Sequence, residues 1–259
     1  MKIKHVIASV LIAVMLVVFS SVSYASSIAS FQTDSSTGWS KPNNSNSKHM
    51  GTKYTTYKYS SSSVKTKYLG AVSGGISLWG NNISCTYSVS SGKGLITVSA
   101  GDIGQIAATR SYNDSNKHIT TWEIKIYSEL FDDYSMTAQK KIIAHEIGHV
   151  YGLTHFNNRN HIMYQSYQVT IGVTDQDIAG MNVMTHEHIH SGSYSRTYES
   201  CSDHSHKVRC TTCLAYYIDT CQYTDYHSGS RHYFVFSCIC GNNQTLSWAC
   251  SWNPCVQPF

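Results

Sequence analysis

The run His145-Glu146-Ile147-Gly148-His149-Val150-Tyr151-Gly152-Leu153-Thr154-His155 constrains this chain more than any other stretch of it. Residues four apart on a helix share a face, so His145 and His149 can present two imidazoles to one ion. Glu146 sits beside the first of them, where its carboxylate can reach a water on that ion without being a ligand. Gly152 permits a turn that a residue with a side chain makes only at a cost, and the turn returns His155 as a third nitrogen. Three neutral nitrogens plus an open position make a catalytic zinc site, whereas structural sites are closed by a fourth protein ligand. The expected roles are His145, His149 and His155 as zinc ligands and Glu146 as general base.

The surrounding pattern supplies the frame. Ser135 is a suitable N-cap for a helix over Met136–Tyr151, with Ile143, Ile147, Val150 and Tyr151 on the face that packs on a sheet. Spacings of three and four between Leu69, Val72, Ile76 and Trp79 predict an earlier helix over residues 68–79, although three glycines interrupt it. Four short runs have strand character: Ile83–Val89, Leu95–Ala100, Ile106–Tyr112 and Ile119–Tyr127. A third helix is expected from Asp175 to about Met184.

The motif resembles the zinc signature of the metzincin metallopeptidases. Met163, eight residues after His155 in Ile162-Met163-Tyr164, looks like the Met-turn that lies under the metal in that group. Tyr164 and the run Thr174-Asp175-Gln176-Asp177-Ile178-Ala179-Gly180 are similar to the matrixin branch. The likeness covers roughly residues 66–190. It implies an α+β fold: a twisted mixed sheet with two long helices, a Met-turn and a C-terminal helix, followed here by a small Cys-rich module. It also implies a zinc-dependent endopeptidase acting on polypeptides, with substrate paired along an edge strand near Ile106–Arg110. The chain departs from matrixins in three places. Residues 26–65 have no cysteine to cap the zinc, and Asp34, the only acid among them, reads as a surface residue, the alternative being that it takes the cysteine's place as in other metzincins. Only Gly101-Asp102-Ile103-Gly104 stands where matrixins carry a long loop for structural zinc and calcium, so no second zinc is expected there. Gln165 replaces a tyrosine that some metzincins use, and Tyr164 reads as packing.

At the N-terminus, Lys2, Lys4 and His5 precede an apolar run over Val6–Phe19, and Ser23-Tyr24-Ala25 offers a cleavage site. That is the layout of a secretory signal peptide over residues 1–25. The run is shorter than the roughly 20 apolar residues of a membrane span. An extracellular protein without stable membrane insertion is therefore expected. Residues 26–65 are rich in Ser, Thr, Asn and Lys without lasting period, and read as a flexible leader or short propeptide. Charged residues are 13% of the chain and the net charge is +4 without a Lys/Arg block, so no nucleic-acid partner is indicated. A monomer is expected.

Composition shifts after His190, which puts the catalytic domain at 66–190 and a Cys-rich accessory module at 191–259. Eight of the nine cysteines fall there: Cys201, Cys210, Cys213, Cys221, Cys238, Cys240, Cys250 and Cys255. In an exported chain the first reading is four disulfides stapling a module with little core. The other is zinc held by Cys210-x2-Cys213 and Cys238-x-Cys240 with His206 or His232. His186, His188 and His190 alternate at the junction and read as a solvated linker, with a weak metal site as the alternative. Tyr216, Tyr217, Tyr223, Tyr226, Tyr233 and Trp248 could face a cell-surface or polymer ligand, or form the module's core. A second function class follows: a catalytically silent zinc scaffold whose tail does the binding. Retention of Glu146 favours the enzyme.

Overall fold

In the strand Ile119–Tyr127 the residues Trp122, Ile124 and Ile126 alternate on one face and are each at most 3% exposed. They form the floor on which the helices pack. The computed structural model describes residues 28, 30–42, 47–101, 104–166, 172–190, 195–199, 205–220, 222–228, 230–237 and 243–249. The expected signal peptide lies outside them. No helix among the described residues is long and apolar enough to cross a membrane.

The first compact unit runs to residue 194 and includes Thr212–Ala215. Its elements are β1 (Tyr54–Tyr59), α1 (Ser62–Ser77), a 3-10 turn (Gly80–Asn82), β2 (Ser84–Tyr87), β3 (Gly94–Ser99), β4 (Ala107–Asn113), β5 (Ile119–Tyr127), α2 (Ser128–Phe131), α3 (Met136–Tyr151) and α4 (Asp175–Met184). The five strands form one sheet in the order β2-β1-β3-β5-β4, with parallel pairs except β4, which runs antiparallel to β5 at one edge. Helices α1 and α3 pack on each other and on the sheet, α1 against β1 and β3, α3 against β4 and β5. Ile143, Ile147, Val150 and Tyr151 of α3 are fully buried, as the helical period requires.

Two sequence expectations need correction. Helix α1 starts six residues earlier than predicted, at Ser62, capped by the Ser61 side chain accepting from the Val64 amide. Its glycines do not break it: a Cβ on Gly75 would lie 2.6 Å from Ile143 Cγ2, so glycine lets the two helices approach. The larger correction concerns residues 26–65. The described residues of that stretch, 28, 30–42 and 47–65, pack with the domain rather than standing off as a flexible leader. Tyr54–Tyr59 is an inner strand of the sheet, and Phe31, Trp39, His49 and Met50 are buried. The Trp39 indole donates to the Cys213 carbonyl at 2.7 Å, and Met50 N–H donates to the Tyr151 carbonyl at 3.1 Å. Hydrophobic burial and backbone pairing hold this segment although its composition is polar.

The second unit comprises residues 195–211 and 216–259. Its described residues form two antiparallel three-stranded sheets. One joins β6 (Arg196–Tyr198), β7 (Ser205–Cys210) and β8 (Tyr216–Thr220); the other joins β9 (Gln222–Ser228), β10 (Arg231–Ser237) and β11 (Gln244–Ala249). Val208 and Cys210 on β7 are fully buried, while Tyr226 stacks on Tyr233 with ring centroids 5.1 Å apart.

Candidate active site

Helix α3 begins where Ser135 Oγ accepts from the Ala138 amide and ends at Gly152, whose φ of 112° is left-handed. A side chain there would be strained, and its Cβ would lie 2.4 Å from the Lys48 carbonyl. The glycine turns the chain so that His155 returns to the helix face carrying His145 and His149. The candidate ligand atoms of the three histidines lie within 4.8 Å of one another.

The hydrogen bonds fix which nitrogens face inward. His145 Nδ1 donates to the Ile162 carbonyl at 2.7 Å, and His149 Nδ1 donates to the Leu153 carbonyl at 2.8 Å. Each ring then carries its proton on Nδ1 and a bare lone pair on Nε2. Those two Nε2 atoms are only 3.1 Å apart. Two acceptors this close call for a cation between them, and backbone-anchored imidazoles are the usual outer support of zinc ligands. Burial, with the neighbouring His145, pushes His149 down to about 3, and the same two causes lower His155. Both are therefore neutral, the form that binds a metal. The residues present fit a zinc ion.

Glu146 is buried beside them. Thr109 Oγ1 on β4 donates to its Oε2 at 2.6 Å. Burial raises the Glu146 carboxyl above its usual range, opposed by His145 and by the Thr109 hydroxyl. Thr109 carried no signal in the sequence: it is one polar residue on an edge strand, and only the fold brings it to the glutamate.

Met163 is fully buried beneath α3. The Phe156 amide donates to the Met163 carbonyl at 2.8 Å, closing the turn that starts at His155. A cleft of about 430 Å³ opens beside the histidines. His145, Glu146 and His155 line it together with Gln105, Ile106 and Ala107 and with Ile162 and Tyr164. Ala107, the first residue of the edge strand β4, therefore borders this cleft. Below it, Asp177 caps α4 in a reciprocal pair with Thr174, and its Oδ2 also accepts from the Ile162 amide at 3.3 Å. The acidic start of that helix thus braces the residue whose carbonyl orients His145.

Other expectations fare differently. Asp34 Oδ1 accepts from Ser36 N–H at 2.9 Å within its own turn. His190 is not in a solvated linker: it is 8% exposed and stacks on Phe31 at 3.7 Å. Among the described residues there is no disulfide, and Cys85, Cys210 and Cys213 are buried thiols. Cys201, Cys221, Cys238, Cys240, Cys250 and Cys255 lie outside the described residues, and with them the expected bridges and the Cys238-x-Cys240 half of the zinc reading.

Two comparisons bear on this geometry. The matrixin family profile matches residues 29–185, more than half of the chain, and reaches well into the segment expected to be a leader. No match is found among curated proteins.

Proposed function

This chain belongs to the matrixin family of zinc metallopeptidases, and on that premise we propose that it is a secreted endopeptidase in which Glu146 is the general base. His145, His149 and His155 hold the zinc. The observation that carries this reading is the pair of lone-pair-bearing Nε2 atoms of His145 and His149, 3.1 Å apart, next to a buried carboxylate in a cleft. When bound, zinc supplies Lewis acidity, polarising the scissile carbonyl and making the attacking water more acidic.

The chain's own groups do the rest. Substrate lies extended along β4, whose outer edge offers backbone N–H and C=O groups for strand addition. This presents a peptide carbonyl above the histidines and fixes its direction. Thr109 occupies Oε2 of Glu146, so Oε1 is left to take the water's proton. A carboxyl raised by burial is a stronger base than an ordinary glutamate, which suits that step. Glu146 then gives the proton to the departing amine, and the walls of the cleft limit access of bulk water. Export follows from the signal-like residues 1–25.

The test uses the full secreted chain and unfolded casein. Glu146→Gln abolishes cleavage while zinc content stays at the wild-type level, because the base is not a ligand. His149→Ala and His155→Ala lose the catalytic zinc together with activity. Near wild-type turnover by Glu146→Gln, or undiminished zinc in both histidine variants, overturns the assignment.

A further inference from the structure

A second group of histidines lies outside the cleft. His49 precedes β1, His118 precedes β5 and His186 follows α4, yet their candidate ligand atoms all lie within 4.8 Å of one another. The backbone brings them together: His49 N–H donates to the Lys117 carbonyl at 3.0 Å, and Ile119 N–H donates to the His49 carbonyl at 2.8 Å. His186 is held at φ 62°, unusual for a residue with a side chain. His49 Nδ1 donates to the Ser47 carbonyl at 2.9 Å, so its Nε2 carries a lone pair, and that Nε2 is 3.1 Å from His186 Nε2. His118 Nε2 is buried without a hydrogen-bond partner, and its Nδ1 is 4.0 Å from the Asp114 carboxylate, which favours a proton on that side. Burial lowers His49 and lowers His186 to about 4, so both are neutral.

A hydrogen bond between two neutral rings satisfies one pair and leaves His118 Nε2 orphaned. A tetrahedral ion with bonds of about 2.0–2.1 Å needs nitrogens about 3.3 Å apart; the His49 and His186 Nε2 atoms are close to that at 3.1 Å, and an ion between them gives the His118 nitrogen, within 4.8 Å, a partner as well. We propose that His49, His118 and His186 form a second divalent-metal site, with an all-imidazole donor set suited to zinc. The site is not in the loop between β3 and β4. It ties the N-terminal segment to the end of α4. It also adjoins the catalytic helix, because the His49 backbone closes on Gly152: a Cβ on that glycine would come 2.9 Å from His49 Cα. A metal here clamps the turn that delivers His155.

Metal content of the full chain, dialysed after zinc loading, tests this separately from the catalytic assignment. His118→Ala and His186→Ala each bind one equivalent less than wild type, and combining either with His149→Ala removes a second. Carbethoxylation of the unmutated protein gives an independent readout: zinc protects His118 and His186, and a chelator exposes them. Wild-type stoichiometry in both variants, or labelling of these residues indifferent to zinc, overturns the proposal. Failure of the catalytic reading shows instead as unchanged zinc in His149→Ala alone.

A different observation carries a second site. His190 Nε2 lies 3.0 Å from Cys213 Sγ, and the candidate ligand atoms of His188, His190 and Cys213, all in the first unit, fall within 4.8 Å of one another. We infer that His188, His190 and Cys213 form a further zinc site, in which His188 and His190 replace His206 or His232 as the imidazole partners of the cysteine. Iodoacetamide labelling of the native chain should leave Cys213 unmodified until a strong chelator is added, without any reductant. Its recovery in a disulfide-linked peptide, or chelator-independent alkylation, overturns it.

Discussion

Gly148, between the two histidines of α3, and Gly70, in α1, should respond to alanine with opposite signs. Alanine in place of glycine inside a helix gains about 1 kcal/mol from propensity alone. At Gly70 the new Cβ would be 3.6 Å from Met136 Cε, an ordinary contact, so the gain is realised. At Gly148 the new Cβ would lie 2.2 Å from Met163 Sδ and 3.3 Å from the Trp79 ring. Ordinary separations are about 3.5–4.0 Å, so the overlap with sulfur is roughly 1.5 Å. Met163 and Trp79 are both fully buried and cannot swing into solvent. Overpacking of this kind costs about 1–3 kcal/mol, and with an overlap this large the upper figure applies, for a net loss of about 2 kcal/mol.

For a domain of this size about 2 kcal/mol lowers Tm by roughly 4–8 °C, whereas Gly70→Ala raises it by roughly 2–4 °C. Displacing Met163 also moves Ile162, whose carbonyl orients His145, so Gly148→Ala should hold catalytic zinc less tightly. Thermal melts of the two variants beside wild type, followed by zinc competition against a chromogenic chelator, measure both effects. If Gly148→Ala melts as high as Gly70→Ala and keeps wild-type zinc affinity, Met163 is not the packed support under the site.

Thr109→Val removes a donor to the Glu146 carboxylate and so raises that group further; a charge-assisted bond of about 1.5–3 kcal/mol corresponds to about 1–2 pH units. The acid limb of the kcat/KM profile should move upward by about that much, and an unmoved limb would remove Thr109 from the site. Trp39→Ala should cost about 3–5 kcal/mol in a urea titration, because the ring is fully buried; a loss below about 1 kcal/mol would restore the leader reading. The chelated protein should lose stability as pH falls from about 6.5 towards 3, since His149 at about 3 and His186 at about 4 stay neutral in the native state while unfolded histidines take up protons. A Tm that is flat or rises on acidification between pH 6.5 and 4 would contradict the buried, neutral assignment.

What the sequence disclosed and what it hid divide along a physical line. Helix α3 was legible to the residue because its cap, its apolar period and its stop are all local: Ser135, the buried Ile143–Ile147–Val150 face and Gly152 act within one segment. Strand β5 and helix α4 were readable for the same reason. Strand β1 was not, because its sequence Tyr-Thr-Thr-Tyr-Lys-Tyr hides its buried face behind hydroxyls. Thr55 is 4% exposed, and its Oγ1 accepts from the Trp122 indole at 3.1 Å, a partner 67 residues away. Tyr57 and Tyr59 bury their rings on the same side. The partner of the Thr55 oxygen comes only with the folded sheet, and no local window contains it. The candidate metal sites follow the same division. His145, His149 and His155 announced themselves because one helix and one turn carry all three. His49, His118 and His186 meet only after β1, the β4–β5 hairpin and α4 have folded; in sequence only His186 stands out, in its alternation with His188 and His190, and nothing local joins it to His49 or His118. The segment composition marked as a leader thus supplies one of the three, His49. If that ion binds, the polar stretch is ordered by coordination as well as by burial, which is why hydrophobic period alone underestimated it.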